Sequence, residues 1–226
     1  MPRESYQQTL GELRSEVLEM SDVVLERLEA SLDAMETMDR RLAHQVIIGD
    51  DEINETYLRL EKECTDLLAL QQPVAGDLRF VTATFKILTD LERIADLATN
   101  LGRYTLQAER NRFPDVDIQM IGDTVVKMQA AAMEAYASGN IEACREIARR
   151  DGVVDEMCEE ATDSVVRDLL DTEREDTNSE PDMEALMQDV SRLLLTVRDL
   201  ERVGDHAVNI AARSLYMVEN DPSLLE

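Results

Sequence analysis

An eleven-residue acidic phrase occurs twice in this chain, as DLERIADLATN at Asp90 to Asn100 and as DLERVGDHAVN at Asp199 to Asn209. Seven of the eleven positions agree, and they include Glu92, Arg93, Asp96 and Asn100 against Glu201, Arg202, Asp205 and Asn209. The likeness extends beyond the phrase. Sliding the chain by 101 residues sets Asp39 on Asn140, Ala43 on Cys144, Val46 on Ile147, Asp50 on Asp151, Ile53 on Val154 and Asn54 on Asp155. From the phrase onward the offset is 109, and the eight extra residues fall in the polar stretch between Asp171 and Pro181. Internal duplication accounts for both offsets. The fold must therefore be buildable from two copies of one unit.

That unit is helical. Leu10, Leu13, Val17, Met20, Val24, Leu28, Leu32 and Met35 step by three or four, which is one apolar stripe on a long helix. No segment alternates with period two, and aromatics are only 4% of the chain, which argues against a sheet. Pro73 with Gly76, Pro114 and Pro181 break the helical pattern. Ser138-Gly139-Asn140 is a stop and restart, and duplication places its counterpart at Met38-Asp39. The pattern predicts helices over 4–38, 39–71, 74–110, 117–138, 140–171 and 182–219. They make an all-α fold of two tandem antiparallel three-helix bundles, residues 1–112 and 113–226, with Leu28, Phe85, Leu88, Met128 and Leu194 inside.

Charge narrows the partners. Forty-nine Asp and Glu face 23 Lys and Arg, a formal net charge of -26, so nucleic acid and direct contact with anionic lipid are both disfavoured. Only Lys62, Lys86 and Lys127 are lysines, and an acidic, Lys-poor chain has the composition of a protein from a high-salt cytoplasm. The N-terminus has no apolar signal region and no stretch reaches the roughly 18 apolar residues of a membrane span, which predicts a cytoplasmic protein. Cys64, Cys144 and Cys158 show no paired or zinc-type spacing and are expected to be buried apolar residues. Neither a Gly-rich phosphate cradle nor a convergent Arg cluster is visible in the sequence.

The phrases carry chemistry through their spacing. Glu92 and Asp96 lie one turn apart on one helix face, as do Glu201 and Asp205, and two such carboxylates repel unless a cation sits between them. By chance alone a chain this acidic contains roughly ten such pairs, most of them solvated surface. These two differ by recurring at equivalent places. The preceding helix repeats the step as Asp50 with Asn54 and as Asp151 with Asp155, so each bundle offers oxygen ligands from two adjacent helices. Such a donor set suits Mg, Mn, Ca or oxidised iron. A carboxylate-bridged di-iron oxidase would need Glu-x-x-His motifs, whereas Arg41 and Val203 stand three residues before His44 and His206. A helical adaptor whose acidic pairs are solvated is the other reading. His44 is expected on a helix surface and His206 as an outer ligand at most.

Together with LLALQQPVAGDLRFV at Leu67 to Val81 and the spaced pattern from Ala43 to Ile53, the two phrases resemble the PhoU family of phosphate-transport regulators. The resemblance implies two similar three-helix bundles, a homodimer, and multinuclear iron or zinc held on Glu/Asp-x-x-x-Asp motifs. Matched residue by residue, these motifs are Glu92 with Asp96 and Glu201 with Asp205, helped by Asp151 and Asp155 and, with a departure from the acidic pattern at Asn54, by Asp50 and Asn54. The family's Gly-Asp-His is intact as Gly204-Asp205-His206 but reads Ala95-Asp96-Leu97 in the first half, which favours the second-half site. The implied role is non-enzymatic: restraint of import through a phosphate ABC transporter, with signalling to a PhoR-type sensor kinase, by a protein that reaches the membrane through these partners.

The charge balance makes a direct prediction. Self-repulsion in a -26 chain is weakly screened in dilute buffer, so the melting temperature should rise steeply as KCl is raised toward molar levels. A flat profile would remove the high-salt reading.

Overall fold

The computed structural model describes residues 3–70, 74–108, 116–175 and 183–225. Among them are seven helices and no strand. The first half holds α1 (Arg3–Thr37), α2 (Arg40–Ile48), α3 (Asp50–Leu70) and α4 (Ala75–Gln107). The second holds α5 (Ile118–Ser138), α6 (Ile141–Glu175) and α7 (Met183–Glu219). Pro73, Pro114, Pro181 and the boundary expected between residues 112 and 113 lie outside the described residues. Gly76 falls within the first turn of α4 and not in the break before it.

The seams after α1 and α5 are built alike. Met38 and Gly139 both adopt the left-handed conformation, with φ of 54° and 70°. Asp39 then caps α2 by accepting from the Arg41 and Leu42 amides, while Asn140 accepts from the Ala143 amide. Duplication thus locates the Met38-Asp39 seam correctly, although Met is a poor residue for that backbone.

One expected helix is interrupted. The 39–71 rod breaks at Gly49 into α2 and α3, whereas its counterpart α6 is continuous. The cause is Arg27 of α1, whose Nη1 donates to the Gln45 and Val46 carbonyls at 3.4 and 3.3 Å and so caps the end of α2. A Cβ at Gly49 would lie 1.3 Å from that Nη1, so the guanidinium occupies space that only glycine leaves open. The second half carries Arg150 at the equivalent position.

Each half closes on its last helix. α4 packs against α1, α2 and α3, and α7 against α5 and α6. α4 and α7 then pack on each other, and α1 reaches α5, so the two bundles share one continuous hydrophobic core. Leu13, Val17, Val24 and Leu28 of α1, Leu88, Leu91 and Ile94 of α4, Met128 of α5 and Leu200 and Val203 of α7 are buried in it, as are all three cysteines. Phe85 and Leu194 are only half-buried against this core, because they stand at the edges of the buried stripes of α4 and α7. No helix among the described residues is long and apolar enough to cross a membrane.

The paired seams can be tested against each other. Met38→Gly should raise unfolding free energy by about 1 kcal/mol through relief of left-handed strain, and Gly139→Ala should lower it by a similar amount. Denaturant midpoints at unchanged m-value would show this. A destabilising Met38→Gly would contradict the equivalence of the seams.

Candidate functional site

The two phrases face each other across the α4/α7 contact, and their outer residues join the bundles. Asn100 ends the first phrase and donates to Asp199, which opens the second, at 3.4 Å. Reciprocally, Asn209 donates to Asp90 at 3.4 Å. Asp199 is fully buried and also accepts from the Tyr104 hydroxyl and the Arg198 guanidinium, both at 2.9 Å. Burial, followed by this hydrogen bond, pushes the Tyr104 hydroxyl up to about 12. His206 Nδ1 lies 2.9 Å from Asp90 of the opposite bundle, and the ring remains near enough to Asp205 to oppose the rise in its proton affinity. Sequence reasoning missed these cross-pairs because they join residues 95 to 119 apart in the chain. The signal available was that the first and last residues of the phrase also recur.

The inner carboxylates of the second phrase meet α6. Asp155 lies close enough to Asp151, Glu201 and Asp205 to raise the proton affinity of all three. Asp151 is pushed up to about 6, first by burial and then by Asp155, Asp205 and Glu201. Glu201 and Asp205 are also raised, again by burial before the effect of Asp155. None of the four has a hydrogen-bond or ion-pair partner among the described residues. Gly204 faces this set, with Asp151 Oδ1 3.5 Å from where its Cβ would lie, an ordinary contact distance.

The first-half quartet is better satisfied. Asp50 accepts from Asn54 at 3.2 Å and from Thr99 at 3.3 Å. Arg93 lies 3.5 Å from Glu92 and 3.3 Å from Asp96. Glu92 is still raised, by burial first and by Asp96 next, with Arg93 opposing both. The structure therefore brings together both expected sets, Glu92, Asp96, Asp50 and Asn54, and Glu201, Asp205, Asp151 and Asp155, but only the second lacks hydrogen-bond and ion-pair partners among the described residues, with His206 and Arg202 opposing the rise at Asp205 from a distance.

As the side chains stand, no three His, Cys, Asp or Glu among the described residues converge tightly enough to hold one ion. The donor chemistry of the second set nevertheless fits a hard cation, being four carboxylates that lack partners and crowd each other's charge. It does not extend to sulfur: burial, followed by the same carboxylates, pushes the Cys158 thiol up to about 12 and away from thiolate. The sequence also suggested no convergent arginines, and the structure corrects this. Arg93, Arg103 and Arg202 line one cavity of about 250 Å³ with Asp96, Leu97 and Asn100. Two helices distant in sequence supply them, so no local motif could reveal the cluster.

Comparison with known proteins matches this architecture. A family model described as the PhoU domain matches residues 17–105 and again residues 118–214, so the repeat inferred from the phrases is two copies of that domain. A Pseudomonas aeruginosa protein named phosphate-specific transport system accessory protein PhoU homolog is 33% identical, over 92% of this chain and 83% of its own. The crystal structure of PhoU from Pseudomonas aeruginosa superposes with a TM-score of 0.86 at 32% identity, covering 96% of this chain and 100% of that one. The phosphate transport system regulatory protein PhoU from Streptococcus pneumoniae gives 0.85 at 25% identity, over 96% of this chain and 98% of that one. The chain belongs to the PhoU family.

The crowded quartet sets a pH dependence for the metal-free protein. Because the folded Asp151 value lies above the ordinary carboxylate range, the folded chain holds a proton that the unfolded chain releases. The stability this adds is complete below about pH 4 and is lost as pH rises through about 6. The melting temperature should fall across that window in chelator, and Asp151→Asn should flatten the fall. An unchanged slope in Asp151→Asn would place the titration elsewhere.

Proposed function

We propose that this chain is a non-enzymatic regulator that restrains phosphate uptake by acting on the subunits of a phosphate ABC transporter. Membership of a family whose members are named phosphate-specific transport system accessory proteins carries this reading. The cofactor-like chemistry sits on helix surfaces that can serve as docking faces, and the oxidase alternative still lacks its Glu-x-x-His motifs. A homodimer is the assembly, a PhoR-type histidine kinase the second partner, and both membrane contact and signalling run through these proteins.

Asp151, Asp155, Glu201 and Asp205 are proposed to hold the regulator's cation. An all-oxygen donor set favours iron, manganese or magnesium over zinc. The bound ion would supply positive charge that neutralises the quartet and fixes α7 against α6. The chain's own part is to present the four carboxylates from α6 and α7 without hydrogen-bond donors competing for them. The first-half quartet is left out because Arg93, Asn54 and Thr99 already occupy its oxygens.

Glu201→Gln with Asp205→Asn keeps shape and removes ligand charge. The double variant should lose stoichiometric metal, keep its metal-free stability, and fail to repress phosphate uptake in a strain lacking the native gene. Wild-type protein that takes up no iron, manganese or zinc, and melts identically with and without chelator, would leave the metal-free adaptor reading in place.

A further inference from the structure

The arginine-lined cavity between α4 and α7 is used by none of the roles above. Arg93 and Arg202 hold the same place in the two phrases, so the duplication that crosses the helices also brings two equivalent guanidinium groups to one cavity. Arg103, one turn beyond the first phrase, adds a third. In a chain of net charge -26 this gathers three of only 23 basic side chains at one place.

Much of their hydrogen-bonding capacity is unspent. Each guanidinium carries five N–H donors. Arg103 spends one on Asn100 Oδ1, at 2.9 Å. Among the described residues Arg202 approaches Asp199 at 3.8 Å and also feels the charge of Asp205, and Arg93 contacts Glu92 and Asp96 at 3.5 and 3.3 Å. Convergent guanidinium forks match the paired oxygens of a tetrahedral anion. A volume of about 250 Å³ admits such an anion with some of its water.

Asp96 makes the site selective. A carboxylate at the wall repels a fully deprotonated anion but accepts a hydrogen bond from one that keeps an O–H. At neutral pH inorganic phosphate keeps a P–OH, whereas sulfate has none and a phosphomonoester, with its second pKa near 6, has mostly lost its own. We infer that Arg93, Arg103 and Arg202, with Asp96 and Asn100, form a binding site for free inorganic phosphate. The geometry asks for a protonated tetrahedral oxyanion, and the choice of phosphate as the biological ligand rests on the reading of the chain as a phosphate-uptake regulator. Asn100 ties this site to the inter-bundle contact, since its amide nitrogen donates to Asp199 while its oxygen holds Arg103. Occupancy is thereby coupled to the contact between the two halves.

Isothermal titration of the full chain at fixed high ionic strength tests this, with inorganic phosphate, sulfate and glycerol phosphate titrated separately. Saturable binding of about one phosphate per chain is expected, with sulfate and glycerol phosphate weaker by about tenfold or more. Arg103→Gln and Arg202→Gln should each weaken phosphate by about tenfold, and Arg103→Lys should fall between, while circular dichroism reports an unchanged fold. Asp96→Asn should narrow the preference for phosphate over sulfate. Wild-type protein that binds no phosphate, or binds sulfate equally well, would overturn the assignment, as would Arg-to-Gln variants that bind like wild type. Repression of uptake by a chain that binds no phosphate would sink this site alone. Phosphate binding by a chain that leaves uptake unchanged would sink the regulatory reading and keep the site.

Discussion

The packing of α4 against α7 is the contact on which the joining of the two halves depends. These helices close their own bundles and also meet each other, so they are the common wall of a single core. The contact contains a buried carboxylate, Asp199, whose desolvation would be costly if it stood alone. Arg198, Tyr104 and Asn100 supply its donors, and two of the three come from the opposite bundle. A charge that finds two of its three donors only when both halves are in place favours one register of α4 on α7 over others. Asp90 with Asn209 and His206 repeats the arrangement on the other side.

Duplication created two equivalent carboxylate sets, and substitution has since made them different. In the second half, Asp155 joins Asp151, Glu201 and Asp205 in a crowded set of four acids. In the first half, Asn54 stands at the place of Asp155 and donates to Asp50 where Asp155 would repel it. The arginines of the phrases diverge as well. Arg93 contacts Glu92 and Asp96, the inner acids of its own phrase, whereas Arg202 approaches Asp199 at 3.8 Å and forms no ion pair with Glu201 or Asp205. The proposed cation set thus lies in the second half, whereas arginines of both halves line the proposed anion site.

Helices and carboxylate pairs were legible in the sequence because both follow from spacing along one chain. A stripe stepping by three or four identifies a buried face, and the i, i+4 acids identify a shared one. Comparison of the halves even located the Met38-Asp39 seam, where Met gives no turn signal of its own. What remained hidden depends on residues far apart in sequence. The break at Gly49 arises from Arg27 on another helix, and a single glycine in a helical pattern does not announce it. The Asp and Asn cross-pairs, the turn of His206 toward Asp90 and the three-arginine cavity all require knowing which face of α4 meets α7. Phe85 and Leu194 show the same limit more mildly, since periodicity identifies a stripe better than it fixes its edges.

The duplicated phrases bind the two bundles into one cooperative unit. Differential scanning calorimetry of the full chain at molar KCl tests it directly. A single transition is predicted, with calorimetric and van't Hoff enthalpies in a ratio near one. Two separate transitions, or a calorimetric enthalpy about twice the van't Hoff value, would show that the halves unfold independently and would contradict it.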